Sequence, residues 1–323
     1  MKVVFMGTPE FALPALQRLI ASPHRIVLVV TQPDRPKGRG LKPVASPVHQ
    51  LAAAHGLEII QPVSVRREPI DERVRQSGAD VTVVAAFGQI LPRPLLEATR
   101  FGCLNIHPSL LPEFRGAAPV QRCLLEGRDT TGVTIMQLVE ELDAGPIIAQ
   151  QRVEILPDDD ARSVLNNCAV IGADMLLRVL DEAERTGIID STPQNDEEAT
   201  YAPPIRKEEG LIPWRDSTEE IMYRLRALTP WPGAYSFLGG RKRLTLLQAE
   251  PLWSNEAAQL GVMNKVEPGT VTSLKRGFGF TVKTGSGHLL VTALKPEGKN
   301  RMDGQAFVAG RGVSVGDKLG DPA

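Results

Sequence analysis

The sequence predicts an α/β fold in which a mostly parallel sheet domain is followed by a smaller β-barrel domain. Three observations carry that expectation. The chain opens with an apolar run, residues 3–6, that breaks at Gly7-Thr8-Pro9 into a helix-like segment. Val81-Thr82-Val83-Val84-Ala85-Ala86 is apolar almost throughout, as a parallel strand covered on both faces must be. From Trp231 onward the pattern changes to short strands between turns, at 234–238, 243–247, 269–273, 278–283 and 289–293. Five such strands with glycine-rich turns suit a small barrel. A length of 323 residues favours two domains. We expect the first over 1–190, a polar linker over 191–205 and the second over 206–316.

Composition narrows the class. With 42% hydrophobic and 23% charged residues the chain reads as globular. No run of about 18 apolar residues occurs, so no transmembrane helix is expected. Residues 1–7 lead straight into a turn and read as a first strand, not a signal peptide. Cys103, Cys123 and Cys168 lack metal-ligand spacing, and buried free thiols in a reducing cytoplasm are the expectation. Charge is uneven: residues 1–205 hold 20 Lys+Arg against 26 Asp+Glu, and residues 206–323 hold 17 against 12. A basic second half suits a polyanionic partner.

In chain order, proline in the first turn followed by Phe11, Leu13, Leu16, Leu19 and Ile20 predicts an amphipathic helix. The turn before it lacks the G-x-G-x-x-G spacing, which argues against a nicotinamide dinucleotide site. Residues 26–30 form a second buried strand. The stretch Gln32-Pro33-Asp34-Arg35-Pro36-Lys37-Gly38-Arg39-Gly40-Leu41-Lys42-Pro43 predicts an irregular loop. Its cations Arg35, Lys37, Arg39 and Lys42 make a basic arm suited to phosphates. Helices are expected over 44–55 and 70–77, with a short strand at 58–60 between them. The strand at 81–86 exits into Phe87-Gly88-Gln89-Ile90-Leu91-Pro92.

The central stretch is Asn105-Ile106-His107-Pro108-Ser109-Leu110-Leu111-Pro112. Residues two apart in a strand share a face, so Asn105 and His107 project together. Pro108 has no ladder donor, and the strand should stop there. A carboxamide and an imidazole then stand side by side at the edge where open α/β sheets bind ligands. A helix at 120–126 follows, then a hairpin of 132–139 with 147–155 that carries Asp143 in its turn. Asp158-Asp159-Asp160 opens a long helix with a core stripe of Val164, Leu165, Cys168, Ile171, Met175 and Val179. The acidic triplet suits the positive end of the helix dipole and calls for no metal. Ser217-Thr218-Glu219-Glu220 is a capping box for a helix to about Leu228. In the barrel, Arg241, Lys242, Arg243, Lys275, Arg276, Lys295 and Lys299 offer phosphate contacts. His24, His49, His55 and His288 have no acidic partner at a suggestive spacing and read as surface or packing residues.

Asn105, His107 and Asp143, with the Ser109-Leu110-Leu111-Pro112 loop, resemble the active site of the folate-dependent formyltransferases. The resemblance covers nearly the whole chain. Length and C-terminal layout bring it nearest the members that formylate initiator methionyl-tRNA. It implies a Rossmann-like catalytic domain and an OB-like tRNA-binding domain, in a monomer with no membrane partner. It implies 10-formyltetrahydrofolate as formyl donor and no metal. The folate would lie against Phe87, Gly88, Ile90 and Leu91 on one loop and Ser109, Leu110, Leu111 and Pro112 on the other. Arg35, Lys37, Arg39 and Lys42 would meet the acceptor end of the tRNA, with Arg39 matching the arginine that matters most in that loop. Lys207, Arg241, Lys242 and Arg243 would add contacts from the second domain. Pro204 stands where the family usually carries a lysine, and Lys207 is the candidate to replace it.

The reaction so implied is acyl transfer to an amine. Negative charge builds on the formyl oxygen, so donors must face it, and Asn105 and a protonated His107 are the candidates. An α-amino group has a pKa of about 8, so a modest base suffices to take its proton. Asp143 and His107 divide that work, in an order the sequence leaves open. The amine itself attacks, so Ser109 shapes the folate loop and forms no acyl-enzyme. A sugar nucleotide or water are alternative acceptors for the same active site. A non-catalytic RNA binder would leave Asn105, His107 and Asp143 without a purpose.

Overall fold

The structure, a computed structural model, describes residues 1–37, 42–252, 262–263 and 265–322. The chain divides into two compact units, one of Met1–Pro119, Thr130–Ile155 and Ser163–Pro203 and one of Val120–Asp129, Leu156–Arg162 and Pro204–Ala323.

The first unit begins with β1 (Lys2–Gly7), α1 (Leu13–Ile20), β2 (Arg25–Val30), β3 (Arg35–Lys37) and β4 (Lys42–Val44). It continues through α2 (Pro47–Ala54), β5 (Ile59–Ile60), α3 (Asp71–Gln76), β6 (Val81–Ala85), α4 (Arg93–Leu96), β7 (Cys103–His107) and β8 (Arg115–Gly116). Helix α5 (Pro119–Leu125) comes next in the chain, followed by β9 (Thr130–Gln137), β10 (Ile147–Glu154), α6 (Ala161–Thr186) and β11 (Tyr201–Ala202). The main sheet runs β10-β9-β7-β6-β1-β2-β5. Its β7-β6-β1-β2-β5 part is parallel, and β9 and β10 join it antiparallel. This is the mostly parallel sheet that the apolar runs predict, Rossmann-like as the resemblance implies. All five residues of β6 and all five of β7 are buried, so a strand with two polar side chains sits in the middle of the sheet.

From β1 the chain builds outward to β2 and β5 on one side, then returns to place β6 and β7 on the other. The crevice at the carboxyl ends of β1 and β6 is therefore the topological switch point, where such sheets bind ligands. Helix α6 covers the sheet at β7 and β9. A Cβ on Gly172 would stand 2.5 Å from Ile106 Cγ2 and 3.0 Å from Val133 Cγ1, so only glycine allows that approach. By length and composition α6 could cross a membrane, but here Val164, Cys168, Leu176 and Leu180 are buried core.

Two expectations are corrected here. The basic stretch after β2 is not wholly irregular: β3 and β4 form an antiparallel hairpin with Pro36 opposite Pro43. Directly opposed residues alternate between hydrogen-bonded and non-hydrogen-bonded pairs, and two prolines fit the latter because neither has a donor to lose. The polar segment after α6 is also not a loose tether. Thr192 bridges Ile147, and β11 pairs in parallel with β8 through Tyr201↔Arg115 and Ala202↔Gly116.

The second unit holds α7 (Thr218–Ala227), β12 (Ala234–Leu238), β13 (Lys242–Leu252), β14 (Val271–Lys275), β15 (Gly279–Lys283), β16 (His288–Pro296), β17 (Met302–Asp303), α8 (Gly304–Ala309) and β18 (Leu319–Gly320). Its antiparallel sheet runs β14-β15-β16-β13-β12-β18, with β17 beside β16. A bridge between Thr270 and Lys318 brings the two ends of that order together, so the sheet curls into a barrel-like form. Trp214, Leu244, Leu246, Phe280, Val291 and Phe307 fill its interior. The indole N–H of Trp214 donates to Ser236 Oγ at 2.9 Å, which satisfies the one polar atom it buries. The capping box of α7 forms as expected: Ser217 Oγ accepts from Glu220 N, and Ser217 N donates to Glu220 Oε2.

Candidate active site

Pro108 ends β7 where the sequence places the break, and Asn105 and His107 project from its last turn of pleat. Cross-strand pairs fix their height: Asn105 lies between Val84 and Met136, and His107 opposite Thr134. Both are buried, at 9% and 4% exposure, and Asp143 is 7% exposed in the turn between β9 and β10. The structure brings all three together within the first unit.

His107 is held from two sides. Its Nε2 lies 3.1 Å from the Phe114 carbonyl, which can only accept, so Nε2 carries a proton. Its Nδ1 stands 3.8 Å from Asp143 Oδ2, outside hydrogen-bond range. That oxygen accepts instead from the Gly116 amide at 2.9 Å. Residues 114–116 thus hold the imidazole with a carbonyl and the carboxylate with an N–H. Gly116 has φ +121°, and a Cβ there would lie 2.8 Å from the Ala202 carbonyl oxygen, so the position admits no other residue without strain. Asn105 differs from its neighbours: among the described residues its carboxamide makes no hydrogen bond. Asn105 is not among the buried side-chain atoms left without a partner, so its amide reaches the surface of the site and is available to something bound there.

The loop after β7 is rigidly supported. Ser109 Oγ donates to the Glu113 carbonyl at 2.7 Å. Thr134 Oγ1 donates to the Ser109 carbonyl at 2.7 Å and accepts from Leu111 N at 3.2 Å. Gln150 Nε2 donates to the Leu111 carbonyl at 2.7 Å. Leu110 packs on Gly132, and Leu111 is buried. The neighbouring loop after β6 is tied down at Phe87, whose carbonyl accepts from Thr8 Oγ1 at 3.3 Å and Gln32 Nε2 at 2.9 Å. The side chains of Phe87 and Leu91 are core, while Ile90 is 60% exposed. This loop therefore offers a ligand its backbone at Gly88 and Leu91 and one apolar side chain, Ile90. A separate cavity of about 390 Å³ between β10 and α6, lined by Ile148, Gln150, Met175, Arg178, Glu182 and Ile188, includes none of the three central residues.

The expected cation positions are scattered. Arg35 is exposed and donates to Gln32 Oε1 at 2.6 Å. Arg39 and the side chains of Lys37 and Lys42 lie outside the described residues. Lys207 and Arg241 are exposed in the second unit. Lys242 Nζ lies 5.1 Å from the Phe307 ring centroid, and the Arg243 guanidinium 3.8 Å from that of Tyr235. Two histidines set aside in the sequence do have carboxylate partners: His49 Nδ1 is 2.8 Å from Asp34 Oδ1, and His24 Nε2 is 3.2 Å from Asp181 Oδ1. Both pairs join different elements, so no local spacing signals them.

Sequence reading also missed Phe114, Gly116 and Gln194. Gln194 Nε2 donates to the carbonyls of Asp143 and Gly145, at 2.8 and 2.7 Å. Local pattern carries no signal for such contacts, because each acts across a long stretch of chain or through the backbone.

Comparison with known proteins supplies the context. Residues 1–180 match the family model "Formyl transferase", and residues 204–312 match "Formyl transferase, C-terminal domain". The chain is 44% identical over 321 residues to the methionyl-tRNA formyltransferase of Thermus thermophilus, covering 99% of both chains. It is 42% identical over 320 residues to that of Bacillus subtilis, covering 99% of this chain and 98% of that one. Among solved structures it resembles a methionyl-tRNA formyltransferase from Clostridium thermocellum, with a TM-score of 0.56 and 18% identity over 77% of this chain and 93% of that one. It also resembles a HypX variant from Aquifex aeolicus, with a TM-score of 0.63 and 20% identity, and all of this chain spans 49% of that longer one.

Proposed function

The chain belongs to the formyl transferase family, and we propose that it carries the formyl group of 10-formyltetrahydrofolate to the α-amino group of initiator methionyl-tRNA. The product is N-formylmethionyl-tRNA, which serves translation initiation. The relatives of that name match over nearly their entire length, both domains included. The structural observation that best supports the reading is the meeting of Asn105, His107 and Asp143 at the carboxyl end of β7, with the Asn105 carboxamide unpaired among the described residues.

The residues present fit a folate. Among the described residues, the backbone N–H and C=O groups of Gly88 to Leu91 make no hydrogen bond, so a flat heterocycle with several polar edges would find donors and acceptors there. Ile90 and Leu110 supply apolar surface for its faces. When bound, the folate presents a formyl carbon on a nitrogen that can leave as an amine. Asn105 then donates to the formyl oxygen, where negative charge develops, and such a donor contributes about 10²–10³ in rate.

His107 and Asp143 manage the proton. Nε2 of His107 is committed to the Phe114 carbonyl, so Nδ1 is the nitrogen that can exchange a proton in the site. Asp143 faces it with a carboxylate already oriented by the Gly116 amide. Between them they receive the proton that the attacking amine loses and return one to the departing folate nitrogen. General acid–base help of this kind is worth about 10²–10⁴.

For the tRNA, we propose phosphate contacts by Arg35, Lys37, Arg39 and Lys42 and by Lys207, Arg241, Lys242 and Arg243. We further propose a cytoplasmic monomer without a membrane partner, which sedimentation at the 35.1 kDa monomer mass would support. The deciding experiment is transfer of labelled formyl from 10-formyltetrahydrofolate, with charged initiator tRNA, a sugar nucleotide and water offered in parallel. Transfer to the tRNA alone is expected. Transfer to a sugar nucleotide or to water would overturn the acceptor and keep the active site.

A further inference from the structure

The segment after α6, polar enough to pass for a linker, supplies part of the active-site scaffold of the first unit. Phe114 N donates to Thr200 Oγ1 at 2.8 Å, and Arg115 N donates to the Thr200 carbonyl at 2.8 Å. The most telling contact is Gln194. One carboxamide NH2 reaches two carbonyls, Asp143 at 2.8 Å and Gly145 at 2.7 Å, and so spans the turn that carries the catalytic carboxylate. Its Oε1 accepts from Arg115 Nε at 3.0 Å, which fixes the orientation of the amide. Arg115 is 4% exposed, and its Nη2 bonds Asp196 Oδ1 at 2.7 Å.

We propose that Gln194 is a positioning residue for formyl transfer: it pins the Asp143 turn so that the carboxylate meets Gly116 N–H and faces His107 Nδ1. The inference rests on the role for Asp143 argued above. Asp143 holds φ +52°, a left-handed conformation that aspartate tolerates but does not favour. The two bonds from Gln194 oppose its relaxation. They close a ring of contacts in which Phe114, Arg115 and Gly116 fix His107, Gln194 and Asp143 in turn. A shift of about 1 Å in a catalytic group can cost about 10² in rate, which sets the size of the effect.

The test compares wild type, Gln194→Glu, Gln194→Met and Asp143→Asn in formyl transfer to methionyl-tRNA, with kcat, both KM values and the thermal midpoint measured for each. Glutamate keeps the acceptor for Arg115 and loses both donor bonds. Gln194→Glu should therefore unfold near the wild-type midpoint, lose about 10–100-fold in kcat and change either KM by less than about threefold. Gln194→Met, which loses all three bonds, should show the same split, and it serves if the glutamate variant is unstable. Wild-type kcat in both Gln194 variants with an inactive Asp143→Asn would overturn the positioning role alone. So would a loss confined to KM. An active Asp143→Asn would overturn the role of Asp143 instead, and a wild type inert toward methionyl-tRNA would overturn the function itself.

Discussion

His107 Nδ1 stands 3.8 Å from Asp143 Oδ2, beyond hydrogen-bond range, and that oxygen accepts from the Gly116 amide at 2.9 Å. The two groups are positioned separately, each by backbone of residues 114–116. An asparagine at 143 can still accept from Gly116 through its carbonyl oxygen, so Asp143→Asn should fold normally and leave His107 in place. What it removes is the negative charge and the proton acceptor. We expect kcat to fall about 10²–10⁴-fold with tRNA affinity nearly unchanged. Single-turnover rates beside equilibrium tRNA binding check this, and an equal loss in both would assign Asp143 to binding.

Asn105 gives a different signature. Its carboxamide has no partner among the described residues, so deleting it orphans nothing in the folded protein. Asn105→Ala should reduce kcat by about 10²–10³, or about 2.7–4 kcal/mol in the barrier, without lowering stability by more than the small loss of packing. Kinetics and a denaturant midpoint measured on the same preparation separate the two. A variant that keeps its rate would show that the oxyanion is stabilised elsewhere.

The contrast between these residues shows what a sequence reveals and what it does not. That Asn105 and His107 share a face at the end of a strand was legible because a strand has period two and Pro108 ends it, both of which are local rules, while their grouping with Asp143 as a site came from the resemblance to the formyltransferases. The Asp143 turn was legible between two apolar runs. Gly116, Phe114 and Gln194 were not, since they act through backbone groups or across contacts such as Gln194 to Asp143, 51 residues apart in the chain. The β3–β4 hairpin was hidden because prolines normally argue against strands, and only the opposed register of Pro36 and Pro43 removes the objection. The pairing of His49 with Asp34 was hidden for the same reason as Gln194: distance along the chain.

In the second unit, Glu209 should mark the acid limit of stability. Arg122 grips its carboxylate through both terminal nitrogens, at 2.6 and 3.1 Å. That hydrogen bonding, above all, holds the carboxyl below its ordinary value of 4.5, against the opposing effect of burial and with help from the Arg206 backbone N–H. A carboxyl with a depressed folded pKa stabilises the protein above its unfolded pKa and loses that contribution as pH falls through the folded value. The stability gap between wild type and Glu209→Gln should therefore be full at neutral pH and shrink as pH falls below the ordinary carboxyl value of 4.5 and through the lower folded value. Denaturant unfolding across that range measures it. A gap that stays constant with pH would mean that the Arg122 pair does not set the acid limb.

The β12–β13 turn allows the nucleic-acid reading to be tested against a built-in control. Arg241 is exposed, whereas the neighbouring Arg243 guanidinium stacks 3.8 Å from the Tyr235 ring centroid. A cation on a phosphate releases counterions, and each such contact contributes about 0.7–0.9 to the slope of log affinity against log salt. Arg241→Ala should lower the slope for tRNA binding by about that amount and leave the unfolding midpoint alone. Arg243→Ala should also cost about 0.5–1 kcal/mol of stability, the usual worth of a cation–π contact at a partly exposed site. Titrations at several salt concentrations, with thermal melts of both variants, make the comparison. An unchanged slope in Arg241→Ala would mean that this turn touches no phosphate, and that tRNA affinity resides in the other cations.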